Sequence, residues 1–82
     1  MTKTTNQKQF STFDLGLTGA LLTHGFRLLS LNKTNPKKVS FNFEHEEGLD
    51  QAVEDYFSSN FQVDAQTYFN HIKSLKNRIY SN

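Results

Sequence analysis

Residues 39–57 read VSFNFEHEEGLDQAVEDYF, and within them the spacing of apolar side chains changes from 2 to about 3.6 residues. Val39, Phe41 and Phe43 alternate with Ser40, Asn42 and Glu44, the pattern of a strand with one wet face. From Leu49 the rhythm becomes Leu49, Ala52, Val53, Tyr56 and Phe57, at i, i+3, i+4, i+7 and i+8, while Asp50, Gln51, Glu54, Asp55 and Ser58 turn away. The spacing predicts a helix over 46–60, with acids at 46, 47 and 50 suiting the positive end of its dipole. A half-wet strand leading into an amphipathic helix points to an antiparallel sheet backed by helices.

Upstream, Asn35-Pro36 marks a turn, since Pro36 cannot sit inside a ladder. Residues 26–32 read as a second strand, forming an antiparallel hairpin with 39–44. Gly25 stands where a left-handed residue would end a helix over 15–24, capped at its start by Asp14 or Thr12. Residues 9–13 read as a first short strand. Downstream, Asp64 is a good N-cap, and Val63 and Tyr68 are placed for a hydrophobic staple. Ala65, Phe69, Ile72, Leu75 and Ile79 then make an apolar stripe to the end of the chain. The expected order is β-α-β-β-α-α, an α+β fold with a small antiparallel sheet and helices packed on one face. It occupies 10–82 as a single domain, with 1–9 as a flexible polar tail.

The chain has 82 residues, 35% of them hydrophobic and 21% charged. A domain of this size buries only about 60% of the surface its unfolded chain exposes, and a (β/α)₈ barrel or a complete dinucleotide-binding fold needs more chain. With no cysteine there is no disulfide, thiolate zinc site or thiol nucleophile. The polar start lacks the apolar core of a signal peptide, and the longest apolar stretch, 15–22, is far short of the roughly 20 residues that cross a bilayer. A cytoplasmic protein without membrane contact is expected.

The net charge of +1 conceals segregation. Residues 1–43 carry Lys3, Lys8, Arg27, Lys33, Lys37 and Lys38 against the lone Asp14. Residues 44–64 carry Glu44, Glu46, Glu47, Asp50, Glu54, Asp55 and Asp64 with no base, and 65–82 carry Lys73, Lys76 and Arg78 with no acid. Such blocks predict distinct positive and negative faces or internal pairing.

Catalytic constellations are missing. His24, His45 and His71 lie too far apart to share a metal in the i, i+4 manner, and Glu44-His45-Glu46-Glu47 diverge on any regular element. No glycine-rich phosphate loop and no nucleophile elbow is present. A non-enzyme without cofactor or metal is the expectation.

Three features carry more. Lys33-Thr34-Asn35-Pro36-Lys37-Lys38 gathers lysines on the hairpin tip, with Arg27 on the incoming strand, either to reach phosphates or to keep the turn soluble. Lys76 falls between Ala65 and Phe69 on the helical wheel, flanked by Lys73, and either snorkels to water or is aimed at an anion. In the first helix Gly16, Gly19, Ala20 and Thr23 form an arc of small residues opposite Leu15, Leu17, Leu21 and Leu22. Uncharged all round, this helix needs cover on two faces. The sheet supplies one, and either the other helices or a second copy in a symmetric dimer supplies the other.

Phe10-Ser-Thr-Phe-Asp-Leu15, Leu21-Leu-Thr-His-Gly-Phe-Arg27, Phe41-Asn-Phe-Glu44 and Tyr68-Phe-Asn-His-Ile-Lys-Ser-Leu-Lys76 resemble a family of short bacterial and phage proteins catalogued as a domain of unknown function. The resemblance spans about residues 10–80 and implies a phage or mobile-element setting, where very small proteins tend to be binders. It carries over no catalytic residues. The reading that follows is a non-enzymatic binding protein, a homo-oligomer such as a dimer. It would hold an anionic nucleotide-like ligand, a nucleotide signal or nucleic acid, through Arg27, Lys33, Lys37, Lys38, Lys73 and Lys76. The alternative is an interaction module or inhibitor presenting its acidic helix, through Glu54 and Asp55, to a basic partner.

Overall fold

The computed structural model describes residues 9–35 and 37–81; the expected tail at 1–9, apart from Gln9, and the Pro36 turn residue lie outside the described residues. The elements are β1 (Gln9–Thr12), α1 (Leu15–Thr23), β2 (Leu28–Asn32), β3 (Ser40–Glu44), α2 (Leu49–Phe57) and α3 (Ala65–Tyr80). The fold is α+β in the expected order, and Gln9, where the sequence reading both ended the tail and began the first strand, is the first residue of β1. β3 is central, with β1 and β2 both antiparallel to it, so the two outer strands run parallel to each other and α1 is their crossover.

Register explains which side is dry. Phe43 stands opposite Phe10 and Leu28, and Phe41 opposite Thr12 and Leu31. Phe41 and Phe43 are buried with Leu17, Leu21, Leu49, Ala52 and Leu75 in one core. On the other face Asn42 ties all the strands: Ser11 Oγ donates to its Oδ1 at 2.7 Å, and its Nδ2 donates to Ser30 Oγ at 3.1 Å. A register shift between Leu28 and Ser30 inserts Leu29, which is why two leucines adjoin in a strand that otherwise alternates.

Both short helices end in Schellman motifs. Phe26 N–H donates to Leu21 O and Gly25 N–H to Leu22 O, with Gly25 at φ +94°. This turn consumes residues 26 and 27, so β2 starts later than the sequence suggests. At the end of α2, Asn60 N–H donates to Asp55 O and Ser59 N–H to Tyr56 O, with Ser59 at φ +67°. Here a serine occupies the left-handed position glycine favours. The start of α2 also falls inside the expected 46–60, because Gly48 turns the chain at φ +91° and keeps Glu46 and Glu47 out of the helix.

The small arc of α1 is filled from within the chain. A Cβ on Gly19 would lie 2.5 Å from Ile72 Cδ1 and 3.2 Å from Tyr68 Cε1; one on Gly16 would lie 2.5 Å from Tyr56 Oη. Gly19 and Ala20 are buried, and Thr23 Oγ1 donates to Gly19 O at 2.8 Å. The expectation that Gly16, Gly19, Ala20 and Thr23 face a second copy is therefore corrected: α3, with Tyr56 of α2, occupies that face. The stripe of α3 shifts accordingly. Tyr68, Ile72, Leu75 and Ile79 turn inward, while Ala65 and Phe69 are exposed. Glycines on α1 make room for the larger Tyr68 and Ile72, and Tyr68 Oη donates to Gly16 O at 3.2 Å.

Candidate functional site

Phe13 follows β1 and precedes Asp14, whose Oδ1 accepts from Leu17 N–H at 3.0 Å to cap α1. Asp14 N–H in turn donates to Thr12 Oγ1 at 3.1 Å. Held between these bonds, the Phe13 ring stands 58% exposed beside the hairpin tip. At the tip, Asn32 Oδ1 accepts from Thr34 N–H at 2.9 Å and Asn35 Oδ1 from Lys37 N–H at 3.0 Å, two Asx turns that satisfy the loop backbone locally. Lys38 N–H donates to Asn35 O at 3.0 Å, and the Lys38 ammonium lies 4.9 Å from the Phe13 ring centroid, a cation–π contact.

Two hollows open on either side of this pair. One, about 370 Å³, is lined by Phe13, Asn32, Thr34, Asn35, Lys38 and Ser40. The other, about 250 Å³, has Phe13, Lys37 and Lys38 along one wall and Ile79 and Tyr80 from α3 along another. The site thus combines a flat aromatic surface, amide side chains and ammonium groups. Among the described residues, no lysine or arginine has a carboxylate within ion-pair distance; the one ion-pair contact is His45 Nε2 to Asp50 Oδ1 at 2.8 Å.

The expected cations are sorted unevenly. Lys37 and Lys38 come together at the site. Lys33 is at the same end but is engaged: its Nζ donates to Arg78 O at 2.9 Å and Ser81 O at 2.7 Å, capping the negative end of α3 and fastening the tip to it. Arg27 does not join them. It precedes β2 at the opposite end of the hairpin, about 16 Å along the strand from Asn32. Lys73 and Lys76 are exposed on α3, Lys73 with its Nζ 5.7 Å from the Phe69 centroid. The wheel position of Lys76 between Ala65 and Phe69 is as expected, but that sector faces solvent, so its ammonium needs no snorkelling.

Phe13 and Tyr80 are the contributors the sequence reading passed over. A signal existed: Phe10 and Phe13, an odd number of residues apart, cannot share one face of a strand, and Phe10 packs on the core. Away from the site, Tyr56 is held above the ordinary tyrosine pKa, first by burial, then by Asp14 and Tyr68. Asp64 is held below the usual carboxylate value by the Thr67 hydroxyl and N–H that donate to it, at 2.7 and 2.9 Å. No described helix is long and apolar enough to cross a membrane, and no His, Asp and Glu among the described residues gather as a metal-binding set.

No curated protein and no solved structure matches the sequence. One family profile does, over residues 7–81, and it covers every element from β1 to α3. The chain therefore belongs to the family described as Domain of unknown function (DUF5659).

Proposed function

We propose that the chain is a non-enzymatic binding module that holds an anionic, nucleotide-like ligand at the hairpin tip. The observation that carries this is the Phe13–Lys38 pair, opening on a hollow at each side. An exposed ring offers a stacking surface to a base, and an ammonium beside it meets the attached phosphate. Lys37 adds a second cation, and Asn32 and Asn35 bring amide groups to the rim. Glu44, where the acidic block starts, stands at the far end of β3 from the tip, and no Asp or Glu lines either hollow there. The absence of cysteine suits a reducing compartment, and we assign the module to the cytoplasm in a phage or mobile-element setting.

The test is equilibrium binding of a fluorescent adenine nucleotide and of a short oligothymidylate, with Lys37→Glu/Lys38→Glu and Phe13→Ala as variants. The double charge reversal abolishes binding and Phe13→Ala weakens it. For the oligonucleotide, log affinity falls with log salt at a slope of about −1.4 for two phosphate contacts. Unchanged affinity in the double variant refutes the site.

A further inference from the structure

A third, shallow hollow lies elsewhere, on the outer side of α2. It measures about 620 Å³ and is lined by Asp50, Gln51, Val53, Glu54, Phe57 and Ser58. Phe57 is 64% exposed there, an apolar ring that meets the Tyr56 ring edge-on at 5.1 Å and otherwise faces outward. Asp50, Val53, Glu54 and Phe57 follow i, i+3, i+4, i+7 and so form one stripe, acidic toward its start and aromatic at its end. The outer side of α3 carries the counterpart. Phe69, 57% exposed, and Lys73 and Lys76 follow i, i+4, i+7, a stripe that is aromatic at its start and basic toward its end. Each stripe spans eight residues, about 10 Å of helix from first to last.

We infer that these two stripes are mates, and that the chain self-associates by docking the Phe69–Lys73–Lys76 face of one copy against the Asp50–Glu54–Phe57 face of another. They cannot meet within one copy, because α2 and α3 pack on α1 by other faces, through Ala52 and Tyr56 and through Tyr68, Ile72 and Leu75. Charge and spacing fix the direction. Laid antiparallel, Phe69 meets Phe57, Lys73 meets Glu54 and Lys76 meets Asp50; laid parallel, Phe69 would meet Asp50 and Lys76 would meet Phe57. Opposite charge in facing helices selects the first arrangement. The contact joins unlike faces, so used singly it builds chains or rings and used reciprocally it closes a two-fold pair, and its small span makes it a weak, salt-sensitive one. None of these six residues lines the hollows at the hairpin tip.

Sedimentation velocity across a concentration series tests it. The wild-type chain associates at low salt and becomes monomeric near 1 M salt, where screening lengths are about 3 Å. Glu54→Lys and Lys73→Glu are each monomeric at low salt with unchanged circular-dichroism melts. An equimolar mixture of Asp50→Lys/Glu54→Lys with Lys73→Glu/Lys76→Glu regains association, since each supplies the face the other now requires. A monomeric wild-type chain at every concentration, or an associating Glu54→Lys, overturns the proposal. So does a mixture of the two double variants, both folded, that stays monomeric.

Discussion

The seam between α1 and α3 and the tip of the β2–β3 hairpin are both built from small and polar residues, with opposite results. In the seam, Gly16 and Gly19 remove side-chain volume, and Tyr68 and Ile72 fill it until not even a methyl group fits. At the tip, Asn32 and Asn35 spend their carbonyl oxygens on their own loop, leaving Lys37, Lys38 and the Phe13 ring facing outward. Small residues are a docking surface only when nothing in the same chain is shaped to enter them. Polar residues are a site only when their own backbone no longer needs them.

The contrast breaks most readily in the core behind the seam. Leu75 is 1% exposed, and Leu75→Ala destabilises by about 2–5 kcal/mol in chemical denaturation. Gly19→Leu, forced against Ile72 and Tyr68, costs about 1–3 kcal/mol through overpacking and lowers the melting temperature. Ser59→Gly acts in the other direction: relieving a left-handed serine at the end of α2 stabilises by about 1 kcal/mol. At the tip, Lys37→Glu/Lys38→Glu changes stability by no more than about 1 kcal/mol, because the exposed cation–π contact of Lys38 with Phe13 is the one contact described for either ammonium. A larger loss there would make the tip a structural element like the seam.

Titration separates the regions further. Tyr56 is held protonated in the fold, so its contribution is complete below the ordinary tyrosine pKa of about 10 and is lost as pH rises through its raised value. Alkaline denaturation of Tyr56→Phe lacks that limb. Asp64 titrates the opposite way: its contribution is complete above the ordinary carboxylate pKa and is lost as pH falls through its lowered value. Asp64→Asn flattens the acid limb.

Much of this was legible in the sequence. Strict alternation from Val39 to Glu44 and the i, i+3, i+4 rhythm from Leu49 placed the central strand and α2, since burial on one face imposes those periods. Asp14, Gly25 and Asp64 marked helix ends because capping is local chemistry. The partner of the α1 small arc was not legible, because which of two surfaces enters a groove depends on shape across 50 residues of chain. For the same reason Lys33 read as an anion ligand when its carbonyl partners lie at Arg78 and Ser81. Arg27 was grouped with the tip by sequence nearness, while a strand carries it to the other end of the hairpin. The sequence left open whether the acidic block and the basic last helix pair with each other; among the described residues no ion pair joins them, and their matching spacing stands out once Phe57 and Phe69 are seen to be exposed.

The middle position of β3 has a consequence for how the chain comes off the ribosome. β1 and β2 are synthesised first, yet neither is bonded to the other, and both wait for the strand beginning at Ser40. Nascent chains shorter than this hold two orphan edges and no ladder, and the seam must wait longer still for Tyr68 and Ile72. Order therefore arrives late and all at once, and a translational pause before Ser40 would leave those edges exposed to pairing between neighbouring nascent chains.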